Sequence, residues 1–171
     1  MIQIGIDPGA SGAVAIIADF QLKAYPLPLM SNGELDAREL YLILTEAVGK
    51  QPHIVVIEKV AAMPGQGVSS MFSFGRNVGE IKAVLKVAKL SYVEVTPQAW
   101  KKTVLAGLPW KARGSDDKKR AKLVAASYVE QRFPYVNIRG PKGGIKDGMA
   151  DAICLALYGK NTTPQEEDLL K

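Results

Sequence analysis

Cysteine and histidine are nearly missing from this chain, which has one of each, Cys154 and His53, in 171 residues. That excludes a cysteine-based zinc site and a disulfide framework. Cys154 falls inside an apolar helical pattern and reads as a buried thiol, in keeping with a reducing cytoplasm. His53 stands just before a strand. A catalytic triad using it is possible in principle, but a structural or solvated histidine is the plainer reading. Long apolar runs are lacking too. None approaches the roughly 18 residues of a membrane span, and the opening MIQIGIDPG has no basic segment followed by a signal-like apolar stretch. There is no internal repeat and no second-domain boundary.

The remainder is an ordinary globular composition, 47% hydrophobic and 23% charged. The length suits one domain able to bury its own core. We place that domain at residues 1–159 and a polar tail at 160–171. The net charge is +5 and unevenly spread. Between Lys101 and Lys122 lie eight basic residues (Lys101, Lys102, Lys111, Arg113, Lys118, Lys119, Arg120, Lys122) against Asp116 and Asp117, and Arg139, Lys142 and Lys146 follow. A clustered basic surface attracts phosphates, although a solvated helix face would look similar.

Hydrophobic periodicity divides the chain into alternating elements. Residues 1–7, 13–18 and 22–27 read as three strands joined by short turns, hence an antiparallel meander. Asp36 caps a helix, with Glu39 three residues on. Residues 53–58 form a fully apolar strand suited to a sheet centre. A loop with Pro64, Gly65 and Gly67 leads to a helix over about 69–90, in which Met71, Phe74 and Val78 share an apolar face and Gly75 and Gly79 leave space for close packing. A strand at 92–96 precedes a helix capped by Thr96 with Pro97 in its first turn. Ser115 caps a long helix to about Phe133. The last helix runs from Asp147 to Tyr158, with Gly159 as its stop. The order β-β-β-α-β-α-β-α-α-α predicts an α/β protein with a mixed five-stranded sheet and helices on both faces, as in ribonuclease H.

Four carboxylates stand out in that frame. Asp7 and Glu58 each end an apolar strand. If those strands are parallel neighbours, both emerge at the sheet edge where ligands of α/β proteins collect. Asp147 and Asp151, four apart, share one face of a helix that packs on the sheet. A strand-end charge, or an acid favoured by the helix dipole, explains any one of them alone. Together they would repel unless a cation neutralised them. Oxygen ligands without His or Cys suit Mg²⁺ or Mn²⁺. Two such ions can activate water and stabilise the leaving oxygen of a phosphodiester.

The segments IGIDPGASGAVAI, VVIEKV, NVGEIKAVL, YVEVTPQAWKKTVLAG, GSDDK and KDGMADAICLAL together resemble the RuvC family of Holliday junction resolvases, over about residues 1–159. The resemblance implies an RNase H-like fold and metal-dependent cleavage of four-way DNA junctions leaving 5′-phosphate ends. It implies Asp7, Glu58, Asp147 and Asp151 as catalytic metal ligands holding two ions, and a homodimer with two active sites. It also implies that Lys101 and Lys118 approach DNA phosphates, and Lys102 adjoins them. Bacterial members usually space the last two ligands three apart. That position is Gly148 here, and the four-residue spacing looks more like the phage and organellar branch. Opening a crossover calls for an apolar wedge. Met63, in the loop after Glu58, and Phe72 are the candidates, with core packing as the alternative for Phe72. No membrane and no small-molecule cofactor are expected. The setting expected is the cytoplasm of a bacterial or phage-infected cell. The rivals are an RNase H-like nuclease acting on other branched DNA or on RNA–DNA hybrids, a non-catalytic nucleic-acid-binding module, and a sugar-kinase or actin-like phosphotransferase. The last generally needs two such domains.

Overall fold

The computed structural model describes residues 1–9, 11–19, 21–60, 67–111, 115–140 and 142–162, without the side chains of 115–122. Its strands are β1 (Ile2–Asp7), β2 (Ala13–Ala18), β3 (Gln21–Pro26), β4 (His53–Glu58) and β5 (Tyr92–Val95). Its helices are α1 (Ala37–Val48), α2 (Val68–Val87), α3 (Pro97–Val104), α4 (Ser115–Arg132) and α5 (Asp147–Thr162). They form one five-stranded sheet in the order β3-β2-β1-β4-β5. The meander is antiparallel, whereas β1–β4 and β4–β5 are parallel. The expected mixed α/β sheet is therefore what forms. No described helix is long and apolar enough to cross a membrane.

Strand alternation sends successive side chains to opposite faces, and two hydrophobic clusters result. Ile2, Ile4 and Ile6 of β1, with Val55 and Ile57 of β4, pack under α1 and α2. The opposite face carries Ala13, Ala15 and Val56 and is covered by α5, with α3 and α4 outside it. Helix α5 is buried almost all round, from Gly148 to Leu157, as a helix enclosed between two layers must be. An apolar stripe on one face, as the sequence suggested, understates it. Two glycines let α5 lie this close. A Cβ on Gly5 of β1 would overlap the Ala152 carbonyl and the Ala156 amide, and one on Gly159 would sit 3.1 Å from Val56 Cγ2. Gly159 is thus a packing position on β4. It does not stop the helix, which continues to Thr162.

Two of the expected caps form as their chemistry requires, whereas Ser115 is the first residue of α4 itself. Asp36 accepts from the Glu39 amide at 2.9 Å, and Thr96 from the Ala99 amide at 3.3 Å. Helix α2 departs from expectation. Its only buried residues are Ile81, Val84 and Leu85. Met71, Phe74 and Val78 are half-buried and belong to neither core cluster. Gly75 and Gly79 would meet nothing within 4 Å if given a Cβ, so among the described residues they serve no close packing.

Candidate active site

The sheet register brings the first two acids together. β1 and β4 run parallel with Ile6 beside Ile57, so the next residues, Asp7 and Glu58, leave the sheet at the same edge. Parity then selects the face. Asp7 follows Gln3 and Gly5, and Glu58 follows Ile54 and Val56, so both belong to the face under α5. Helix α5 begins at this edge with Asp147, and Asp151 follows one turn later.

Burial and mutual repulsion show in the electrostatics. Asp7 is raised to about 6, first by burial and then by Glu58 and Asp147. The Gly9 amide, donating to its Oδ1 at 3.0 Å, and Lys101 pull the other way. Asp151 is raised to about 7, again by burial first, then by Asp7, Glu58 and Asp147, against the pull of Lys101. Asp7 and Asp151 are therefore each within electrostatic reach of one another and of Glu58 and Asp147. Lys101 is the cation that opposes both shifts, and its Nζ lies 5.0 Å over the Trp100 ring.

A residue absent from the sequence argument holds Glu58 in place. Trp100, fully buried on α3, donates from Nε1 to Glu58 Oε2 at 2.7 Å. An indole N–H is a donor only, so it fixes one carboxylate oxygen and leaves the other for a second partner. The contact spans 42 residues. A tryptophan just after a helix cap carries no local sign of it.

Gly148, the position three before Asp151, has a steric reason to be glycine. A Cβ there would overlap the Ser11 carbonyl and come within 2.9 Å of Asp7 Oδ2. An acidic ligand at this position would collide with the β1–β2 turn, so Asp147 is the next residue on the helix able to carry one.

An oxygen-only donor set with two buried, hard-to-ionise carboxyls suits a hard divalent cation, which would supply the missing positive charge. As they stand, no three such side chains among the described residues are grouped closely enough to hold one ion.

The other candidates scatter. Lys102 is exposed on α3. Lys118 lies on α4, with its side chain outside the described residues, as is Met63 altogether. Phe72 is 74% exposed on α2, which removes the core-packing alternative for it. Arg139 is paired at the surface, its Nε and Nη2 donating to the two Glu130 oxygens at 2.6 and 3.0 Å. His53 starts β4, five residues and roughly 16 Å from the Glu58 end, so it takes no part in a triad there. Cys154 is buried, and burial with the nearby Asp151 pushes its thiol well up, leaving it an inert part of the core.

No protein-family profile matches this chain, and no curated protein matches it in sequence. Solved structures do match. One is Thermus thermophilus RuvC in complex with a Holliday junction substrate, at a TM-score of 0.57 and 17% identity, covering 92% of this chain and 91% of that one. Another structure of Thermus thermophilus RuvC matches at 0.55 and 21%, covering 92% of each chain. In architecture, over nearly its whole length, this chain has the RNase H-like α/β fold seen in RuvC.

Proposed function

We propose that this protein is a divalent-metal-dependent DNA endonuclease that resolves four-way junctions. The observation that carries this reading is the meeting of Asp7, Glu58, Asp147 and Asp151 at one sheet edge, mutually repelling, with Lys101 beside them. Such an arrangement is costly unless a cation completes it. The four acids would hold Mg²⁺ or Mn²⁺, two per site. When bound, the metal lowers the pKa of a coordinated water and neutralises charge on the leaving oxygen.

The chain's own residues have separate tasks. Burial of Asp7 and Asp151 strips water from the reacting region and strengthens every charge interaction there. Trp100 aims Glu58. Lys101 balances negative charge as a phosphodiester arrives, while Lys102 and Lys118 contact phosphates further along the strand. Exposed Phe72, with Met63 nine residues before it in the sequence, is the candidate apolar wedge at the junction centre. Two copies of the domain would cut symmetric strands, in a reducing cytoplasm.

The test is a cleavage panel with Mg²⁺ on a four-way junction, a flap, a duplex and an RNA–DNA hybrid. Paired nicks in the junction with 5′-phosphate ends, and slower cutting of the others, are expected. Preferential cutting of the hybrid would reassign the substrate. No cutting of any of the four would reject the nuclease reading.

A further inference from the structure

The connector from α4 to α5 runs over residues 133–146, longer than the roughly 2–8 residues that usually join packed helices. Its second half folds back on itself as a tongue. Arg139 bridges Ile145, and the Lys146 amide donates to the Ile138 carbonyl at 2.9 Å. The base of the tongue is fixed. Ile138 is buried in the core, and Arg139 holds Glu130 of α4 through two hydrogen bonds. The tip differs, because Lys142, Gly143 and Gly144 are all exposed. A tongue anchored at its base and open at its tip is suited to presenting that tip to a partner.

Three features fit this tongue to an anion. Residues 140–146 include Lys142 and Lys146 and no acid. The carbonyls of its glycines are engaged within the tongue: Gly140 accepts from the Gly143 amide at 2.9 Å, Gly144 from the Gly140 amide at 2.8 Å, and Gly143 from Arg139 Nη1 at 3.2 Å. Their partial negative charge is thus met from inside instead of facing an approaching anion. A Cβ on Gly144 would find nothing within 4 Å, so a ligand can come close to the backbone there. The base of the tongue also adjoins the carboxylates. Lys146 leads directly into Asp147 and lines a cleft with Gly9 and Ser11 of the β1–β2 turn, and the Gly9 amide bonds Asp7. Lys101 reaches the same acids from α3.

We propose that this tongue is a phosphate-gripping arm, in which Lys146 at its base, and Lys142 with the Gly144 backbone at its tip, take successive phosphates of a DNA strand. The inference rests on the nuclease reading for its biological use. With Lys101 on α3 and Lys146 on the tongue, the strand is held on both sides of the bond to be cut, and its phosphate cannot slide along the carboxylate edge.

The experiment measures binding of the full-length protein to a four-way junction in metal-free buffer, by fluorescence anisotropy over a salt series. Lys142→Ala and Lys146→Ala should each lower the slope of log binding constant against log salt by about 0.9. Each should weaken binding about eightfold at roughly 0.1 M salt, the worth of one phosphate contact. Lys146→Arg should restore the slope. Gly144→Ala should leave the melting temperature and the slope unchanged and still weaken binding at least about fivefold, the low end of an overpacking cost. Unchanged binding by all three alanine variants overturns the proposal. A loss confined to Lys146→Ala overturns it too, because the contact would then belong to the cleft and not to the tongue. Junction cleavage by the wild type in Mg²⁺ separates the two readings. Cutting, with the alanine variants binding like the wild type, rejects the arm alone. The expected losses of binding without any cutting by the wild type uphold the arm and reject the nuclease.

Discussion

Helices α2 and α5 both carry a pair of glycines, and they use them in opposite ways. In α5, Gly148 and Gly159 are pressed against the β1–β2 turn and β4, and Gly5 of β1 meets the same helix from below. In α2, Gly75 and Gly79 meet nothing, and Val68 and Phe72 at its start are 86% and 74% exposed. The first helix is locked to the sheet and fixes two of the four acids. The second is anchored only by its C-terminal half and leaves its first turns open beside the site. A nuclease acting on branched DNA needs both: a rigid platform for the reacting charges and a surface left uncovered for the substrate.

Single substitutions should expose this contrast most sharply. Gly5→Ala drives a methyl into the backbone of α5 and should cost more than about 3 kcal/mol, the upper range for overpacking. Gly75→Ala and Gly79→Ala should be neutral or stabilise by up to about 1 kcal/mol through helix propensity. Thermal unfolding of the three variants decides it. Comparable losses in both helices would mean that α2 is packed in solution.

The buried acids give the locked region a pH signature. Asp7 and Asp151 are harder to ionise in the folded protein than in the unfolded chain, where the reference value is 3.8. Folding is therefore penalised as pH rises above that value, and the penalty is complete above the folded values of about 6 and 7. At about 1.36 kcal/mol per pKa unit, the two together reach on the order of 7 kcal/mol at most. The metal-free melting temperature should fall by roughly 10 °C between about pH 4.5 and pH 8. Asp151→Asn should flatten much of that fall, and saturating Mg²⁺ should reverse it at the alkaline end. A metal-free melting temperature that does not fall over this range would show that the carboxyls are not held as described.

Trp100→Phe tests the link between α3 and the platform. Losing a hydrogen bond to a charged group costs about 1.5–3 kcal/mol, so cleavage should slow by roughly 10- to 100-fold, with junction affinity unchanged. An unaffected rate would free Glu58 from its proposed dependence on the indole. The smallest effects belong to the basic segment. Lys101→Ala and Lys118→Ala should each reduce the slope of log binding constant against log salt by about 0.9, one phosphate contact apiece. Unchanged slopes in both would move the DNA path elsewhere.

What the sequence reveals and what it hides follow from the range of the interactions. Asp7 and Glu58 are readable because each ends an apolar β-branched strand, and parallel pairing follows from the helix between β3 and β4. The four-residue spacing of Asp147 and Asp151 is local as well. The Trp100–Glu58 bond joins distant segments and leaves no periodic trace. Gly159 looks like a terminator because glycine ends many helices, but its absent Cβ here serves contact with Ile54 and Val56. The face shared by Met71, Phe74 and Val78 has core periodicity, yet these three are only half-buried and the buried residues of α2 are Ile81, Val84 and Leu85 in its second half.

The central claim is that the carboxylate edge is a metal-dependent nuclease centre. Its most direct test is single-turnover cleavage of a four-way junction in Mg²⁺ by wild type and Asp7→Asn, with junction binding measured alongside. Asparagine keeps the shape of the side chain and removes the charge that would hold the metal. A metal-held charge is worth several kcal/mol to the transition state, so the variant should cut at least roughly a thousandfold more slowly while binding the junction about as well. Cleavage by Asp7→Asn at the wild-type rate would contradict the account.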